Sequence, residues 1–235
     1  MPIRNARSVP SDGQNEAPRS ASEPREAEPR WPSVVAVLTV GGLYFGLNAD
    51  LRVGPRWLLP SIIAILLLPT VISHRTGWHD LDRFLGFVMT SLITIGLIAS
   101  VILLIKALPS HRQSAVALMR SAASLWFTNV FVFALWYWRL DAGGPHGRDA
   151  RQTHEDGAFL FPQTTMSSEE RRAIGQIQWS PRFVDYVFLA FNTSTAFSPT
   201  DTPPVTSWAK LLMMAQSIIS LTILALLAAR AVNMV

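Results

Sequence analysis

The sequence predicts an all-α fold, an integral membrane helical bundle of about five transmembrane helices plus one short re-entrant pore-like helix. Three observations carry that prediction. Charged residues make up 15% of the 235 residues, against about 25% in an ordinary soluble domain, and the mean hydropathy is +0.27. The charges crowd into the first thirty residues and a few loops, with long uncharged runs between them, as in a chain that crosses a bilayer repeatedly. Near the C-terminus an apolar run too short to cross, Tyr186–Phe191, is followed by a polar turn and then by a full-length apolar run.

The segments follow in order. Residues 1–31 are rich in Pro, Ser, Glu and Arg without an apolar period. Such a stretch cannot bury enough apolar surface to offset its ordering entropy, so it is expected to be a disordered, solvated tail. A secretory signal is not expected there, because an apolar core does not follow the first basic residues. A four-helix transmembrane region is expected over 32–138. Its first segment, 32–48, just reaches the length of a ~30 Å hydrocarbon core at ~1.5 Å per residue, with Pro32 suited to a helix start and Trp31 to the interface. The second, 57–73, is again near minimal, with Pro60 and Pro69 close to its ends, where they cost least. The third, 83–106, has no internal charge and carries Gly86, Ser91, Gly96 and Ser100 at spacings that allow close packing. The fourth, 115–138, ends in an aromatic belt from Phe131 to Trp138. It contains Arg120, which lies close enough to its start to snorkel, and Asn129, which reads as an interhelical hydrogen-bonding group.

Residues 139–181 form the longest polar connection and are expected at the membrane surface, with the apolar island Phe159–Pro162 dipping into the interface or packing on the bundle. Residues 182–235 complete the chain: a short helix, a turn and a closing span over 207–235. Short loops carry similar numbers of basic residues on both sides, so the positive-inside rule does not orient the bundle.

Several function classes are excluded. The net charge is +4 and the isoelectric point about 10.1, but the basic residues flank apolar spans and form no run, which argues against nucleic-acid binding. Cysteine is absent, which removes disulfides and thiolate metal sites. Phosphate-binding glycine loops and Gly-x-Ser-x-Gly elbows are also absent, and no catalytic residue, metal ligand or cofactor is expected. His74, His79, Asp80 and Asp82 join the second and third spans and could bind a metal, but their spacing matches no zinc motif. A helix cap at Asp80 or Asp82 accounts for the same residues.

The C-terminal constellation is the most specific. Trp179–Asp185 reads as a helix start at the interface, Asn192–Thr195 supplies an amide and hydroxyls, Ser198-Pro199 breaks the helix, and Thr206 or Ser207 can cap the next one. Irregular backbone at membrane depth is tolerated only where protein buries it or water lines it. A short helix followed by a polar turn is therefore a candidate re-entrant loop.

From Phe188 onward this stretch resembles the pore helix, filter and inner helix of two-helix potassium channels. Thr193 and Thr195 match the two threonines leading into the filter, Asp201 the aspartate closing it, and Pro204 the proline after it. Ala209-Lys210-Leu211-Leu212 matches the start of the inner helix, and Ala228-Ala229-Arg230 its end. The frame is also similar to a set of bacterial multi-span proteins with an Ala-Phe-Ser-Pro-Thr-Asp stretch. Where the channels have Thr-Val-Gly-Tyr-Gly, this chain has Ala196-Phe-Ser-Pro-Thr200. Ser198 and Thr200 stand at the glycine positions, and Pro199 fixes its own φ and removes an N–H. A ladder of backbone carbonyls coordinating potassium is therefore not expected. The resemblance implies a tetrameric pore-like module without potassium selectivity in the lipid bilayer of a bacterial cytoplasmic membrane. Thr193, Thr195, Ser198, Pro199, Thr200 and Asp201 would be its pore residues, and Pro204, Ala209, Lys210 and Arg230 would mark the inner helix. A non-conducting membrane scaffold or partner subunit is the alternative.

Overall fold

The structure is a computed structural model that describes residues 28–76, 78–107, 114–150, 157–176, 179–195 and 201–232. Among them the regular structure is helical: α1 (Trp31–Gly46), α2 (Leu58–Thr76), α3 (His79–Ala107), α4 (Ala115–Leu140), α5 (Gly144–Asp149), α6 (Pro162–Thr165), α7 (Ser168–Ala173), α8 (Phe183–Thr195) and α9 (Ser207–Val232). Two short 3₁₀ turns, Ala49–Leu51 and Asp141–Gly143, connect neighbours.

Among the described residues, three segments are long and apolar enough to cross a membrane: Asp80–Ala107, Val116–Asp149 and Ser207–Arg230. They correspond to the third, fourth and fifth of the expected spans. The apolar helices Trp31–Gly46 and Leu58–Thr70 are shorter. The 16 residues of α1 rise only ~24 Å at ~1.5 Å each. Leu47 is extended, at φ −70° and ψ 144°, and stops α1 before the polar Asn48–Asp50 turn. The loop expected between the second and third spans is also mostly helical: α2 continues to Thr76 and α3 begins at His79.

Helix α4 is the centre of the bundle and packs against α1, α3, α8 and α9, while α2 covers α1 and α3 from outside. Its residues Val132, Ala134, Leu135 and Tyr137, which point to all sides of the helix, are fully buried. Ser114 caps its first turn by accepting from the Ala117 amide at 3.3 Å. At its other end Ala142, Gly143 and Gly144 take φ of 50°, 79° and 80°, which reverses the chain into α5. Gly144 is required there, because a Cβ would stand 2.7 Å from the Arg139 carbonyl oxygen. By contrast α9 lies at the edge, with Leu211, Met214, Ile218 and Leu221 exposed. Such an apolar outer face suits a lipid surround.

Two expectations about the loops are refined. Glu28 and Arg30, placed in the solvated tail, are bound into the bundle, with side chains 7% and 13% exposed; residues 1–27 lie outside the described residues. In the polar connection, Phe159 and Phe161 are buried, so the island packs on the bundle. Phe159 meets Tyr137, Tyr186 and Trp208 edge-on at 5.1, 6.4 and 6.0 Å between centroids. The surface helix α7 opens with a capping box between Ser167 and Glu170.

Candidate functional site

Helix α8 is positioned by aromatic contacts at its start and polar contacts at its end. Phe183 packs edge-on against Trp138 at 5.7 Å, and eight residues further on Phe191 packs at 5.6 Å against Trp126, twelve residues earlier in α4. The two helices therefore run antiparallel, with α8 starting at the C-terminal end of α4. Along α9 the register increases with that of α8: Ala190 and Ser194 face Gln216, Thr193 faces Ser217, and Ser194 faces Ser220. Helix α8 thus stops level with the middle of α9.

The last carbonyls of a helix have no partner within it. Here α9 supplies donors from side chains. Gln216 Nε2 donates to the Ala190 carbonyl and to Ser194 Oγ, each at 2.7 Å. Ser217 Oγ donates to the Thr193 carbonyl at 3.3 Å, and Ser220 Oγ to that of Ser194. Helix α4 completes the frame. The Tyr137 hydroxyl donates to Gln216 Oε1 at 2.5 Å, and the Trp126 indole to Ser220 Oγ at 2.9 Å. Asn129 Nδ2 donates to Ser194 Oγ at 3.4 Å and to the Gln216 carbonyl at 3.3 Å. Asn129 is thus the interhelical hydrogen-bonding residue that its place in the fourth span suggests. Its Oδ1 is buried without a hydrogen-bond donor among the described residues.

The residues singled out in the sequence divide between the two ends of this module. Thr193 is buried and donates to the Leu189 carbonyl at 2.8 Å. Thr195, half-buried, donates to the Asn192 carbonyl at 2.9 Å. Asp201 is exposed and Pro204 half-buried, back at the level where α8 begins. There the Leu160 amide donates to the Pro203 carbonyl at 3.0 Å and the Val205 amide to the Ala158 carbonyl at 2.8 Å. Ser198, Pro199 and Thr200 lie outside the described residues. Of the inner-helix residues, Ala209 is fully buried, Lys210 exposed and Arg230 half-buried. Of the loop once considered for metal, the His74 and His79 side chains lie outside the described residues. Asp82 is taken up by Arg30 and His146, whose nitrogens stand 3.0 and 2.9 Å from its Oδ2.

Those contacts belong to a second polar cluster, which the sequence reading did not assemble. Asp141 is fully buried; its carboxylate accepts from the Ala158 amide at 2.5 Å and the Tyr186 hydroxyl at 2.6 Å. Arg148 donates to the carbonyls of Trp138 and Asp141 and to Glu28, at 2.8, 3.0 and 2.8 Å. Its guanidinium also lies 5.1 Å from the centre of the Tyr186 ring. Glu28 further accepts from the Trp138 indole at 2.5 Å. This cluster locks the α4–α5 turn, the residues before α1 and the first turns of α8 into one unit. Gln216 was likewise missed, although it is the single amide in the closing apolar run through Val232, and a lone amide in such a run is a signal for helix pairing.

Comparison with protein-family models, with curated proteins and with solved structures finds no match for this chain.

Proposed function

We propose that the chain is a divergent pore-loop protein of a bacterial cytoplasmic membrane. In this reading α1 and α2 complete the crossing set with their flanking residues, α8 is the re-entrant helix, and ions pass without selection for potassium. One observation carries the reading. Helix α8 starts beside the end of α4, stops level with the middle of α9, and the chain is back at its starting level by Pro203–Val205. A helix that stops at mid-depth exposes carbonyl dipoles where hydrocarbon cannot satisfy them. The side chains of Gln216, Ser217 and Ser220 answer that demand inside a single chain.

In an assembly of several copies, Thr195 and Asp201 would flank the permeation path and Asp201 would favour cations at its mouth. The test is flux from liposomes reconstituted with the full-length chain. The expected result is cation flux with potassium and sodium passing at comparable rates, and a weaker cation preference in Asp201→Asn. Absence of flux under every gradient and voltage overturns conduction.

The burial of Thr193 and Ser194, whose hydroxyls are both consumed within the chain, favours a second reading, a non-conducting scaffold or partner subunit. A monomeric state and a stoichiometric co-purifying partner, together with no flux, would support it.

A further inference from the structure

We propose that the groove between α3 and α4, where Arg83 and Arg139 flank Gly86, binds a phosphate group carried by an anionic lipid. The starting point is Arg139. Its side chain lies across α3 at Gly86, where a Cβ would overlap Nη1 and Cζ and stand 2.7 Å from Nη2. The missing side chain of Gly86 is therefore the notch that holds the guanidinium. Yet the guanidinium makes no hydrogen bond to any described residue, and its Nε is enclosed without an acceptor. It rests instead on the Trp138 ring, 5.4 Å from the ring centre. Asp82 is the nearby acid, but its Oδ2 already accepts from Arg30 and stands against His146. A guanidinium presents five donors in a fixed fork, and leaving the enclosed Nε donor unmatched is costly. The site therefore has unmet demand for an acceptor with several oxygens.

Arg83 supplies the second charge. It lies three residues before Gly86, hence on the same face of α3, is exposed, and its guanidinium is 5.9 Å from the centre of the Phe87 ring. Two arginines that make no direct ion pair among the described residues suit a phosphate, which accepts bidentately from guanidinium groups.

The rest of the groove argues for a lipid as the carrier. One turn deeper, Phe87 and Trp136 form an apolar wall with centroids 6.0 Å apart, and the Trp136 indole is occupied by Thr94 Oγ1 at 2.9 Å. Phe84 beside them is 64% exposed. Charge at the rim and bare aromatic surface below match a headgroup and its acyl chains at a membrane boundary. The inference rests on the membrane reading of the bundle and is independent of conduction.

The test uses the purified full-length chain in a neutral detergent, with lipid binding followed by native mass spectrometry. The probes are phosphatidylglycerol, phosphatidylcholine and inorganic phosphate. Wild type is expected to retain phosphatidylglycerol in preference to phosphatidylcholine. Arg139→Gln should weaken that binding about 10-fold or more, as for loss of a charge-assisted contact. Gly86→Ala keeps both charges but displaces the guanidinium, and should weaken binding comparably. Arg83→Gln, at an exposed position, tests the site without disturbing the core and should weaken it by a smaller factor. Unchanged phosphatidylglycerol binding in Arg83→Gln and Gly86→Ala overturns the proposal, as does equal retention of phosphatidylcholine. Displacement of the lipid by millimolar inorganic phosphate assigns the site to free phosphate and overturns the lipid assignment. None of these results bears on flux in liposomes, so failure here and failure of the pore reading are separable.

Discussion

Replacing Gln216 by Leu tests whether the half-length helix is held by polar contacts or only by packing. The side chain is fully buried, and its amide makes three contacts: with the Ala190 carbonyl, Ser194 Oγ and the Tyr137 hydroxyl. A typical buried hydrogen bond contributes a net ~1 kcal/mol in water-soluble proteins, while pairs between membrane helices average ~0.6 kcal/mol. Three bonds on these scales give about 2–3 kcal/mol. The partner left behind adds to this, because the Tyr137 hydroxyl loses its acceptor without gaining water. We therefore expect a loss of roughly 2–4 kcal/mol, which is about 30- to 1,000-fold in the unfolding equilibrium at ~1.4 kcal/mol per tenfold. Equilibrium unfolding in mixed micelles would measure it. Trp126 tryptophan fluorescence is a local probe, since its indole is bonded to Ser220 in the same frame. A cycle with Tyr137→Phe should show the two changes to be non-additive, because either removes their shared bond. A loss below about 0.5 kcal/mol for Gln216→Leu, with strict additivity in the cycle, would refute the argument that these bonds fix α8.

Other changes probe the second cluster and the turns. Asp141→Ala leaves the Ala158 amide and the Tyr186 hydroxyl without their buried acceptor and should cost about 2–5 kcal/mol, measured by the same unfolding assay. Neighbouring substitutions in the α4–α5 turn should have opposite signs. Ala142→Gly relieves a non-glycine residue at φ 50° and should stabilise by up to ~1 kcal/mol. Gly144→Ala forces a Cβ against the Arg139 carbonyl at φ 80° and should destabilise by at least ~1–2 kcal/mol. At α7, hydrogen bonds from the Ser167 backbone and side chain hold the Glu170 carboxyl below its ordinary value of 4.5. A lowered acid contributes stability above its unfolded value and loses it as pH falls through its folded value. Amide exchange protection at Glu170 should accordingly be constant at neutral pH and fall in acid, and Ser167→Ala should remove it at all pH values.

Much of the fold was legible because apolar length and interruption are local properties. The runs around α3, α4 and α9 needed only hydropathy, and the shortness of the run before Asn192, followed by prolines, marked a helix that stops part-way. The near-minimal length of the first two runs was visible as well. That α1 ends at Gly46, two residues short of the end of the expected segment 32–48, was decided by the extended Leu47 rather than by composition. The polar cluster was not legible for a different reason. The side chains of Glu28, Asp82 and Asp141 meet those of Arg148, Arg30 and Tyr186 across 120, 52 and 45 residues, and nothing in a single sequence pairs such distant groups. A flanking arginine at a helix end, such as Arg139, reads as an interfacial anchor. Its notch in α3 appears only when Gly86 and Arg139 are seen together.

The dependence of α8 on α9 also sets an order of assembly. Gln216, Ser217 and Ser220 lie 22 to 26 residues beyond the carbonyls and hydroxyl they serve. During synthesis α8 emerges before its donors exist, and hydrocarbon offers its final carbonyls nothing in exchange. In the re-entrant reading proposed above, the helix must therefore wait at the bilayer surface until the last span has been made. Chains truncated ahead of Gln216 should leave α8 accessible to aqueous labelling, whatever the state of the spans before it. The C-terminal span thus serves as a checkpoint: only a completed chain can draw its half-helix inward.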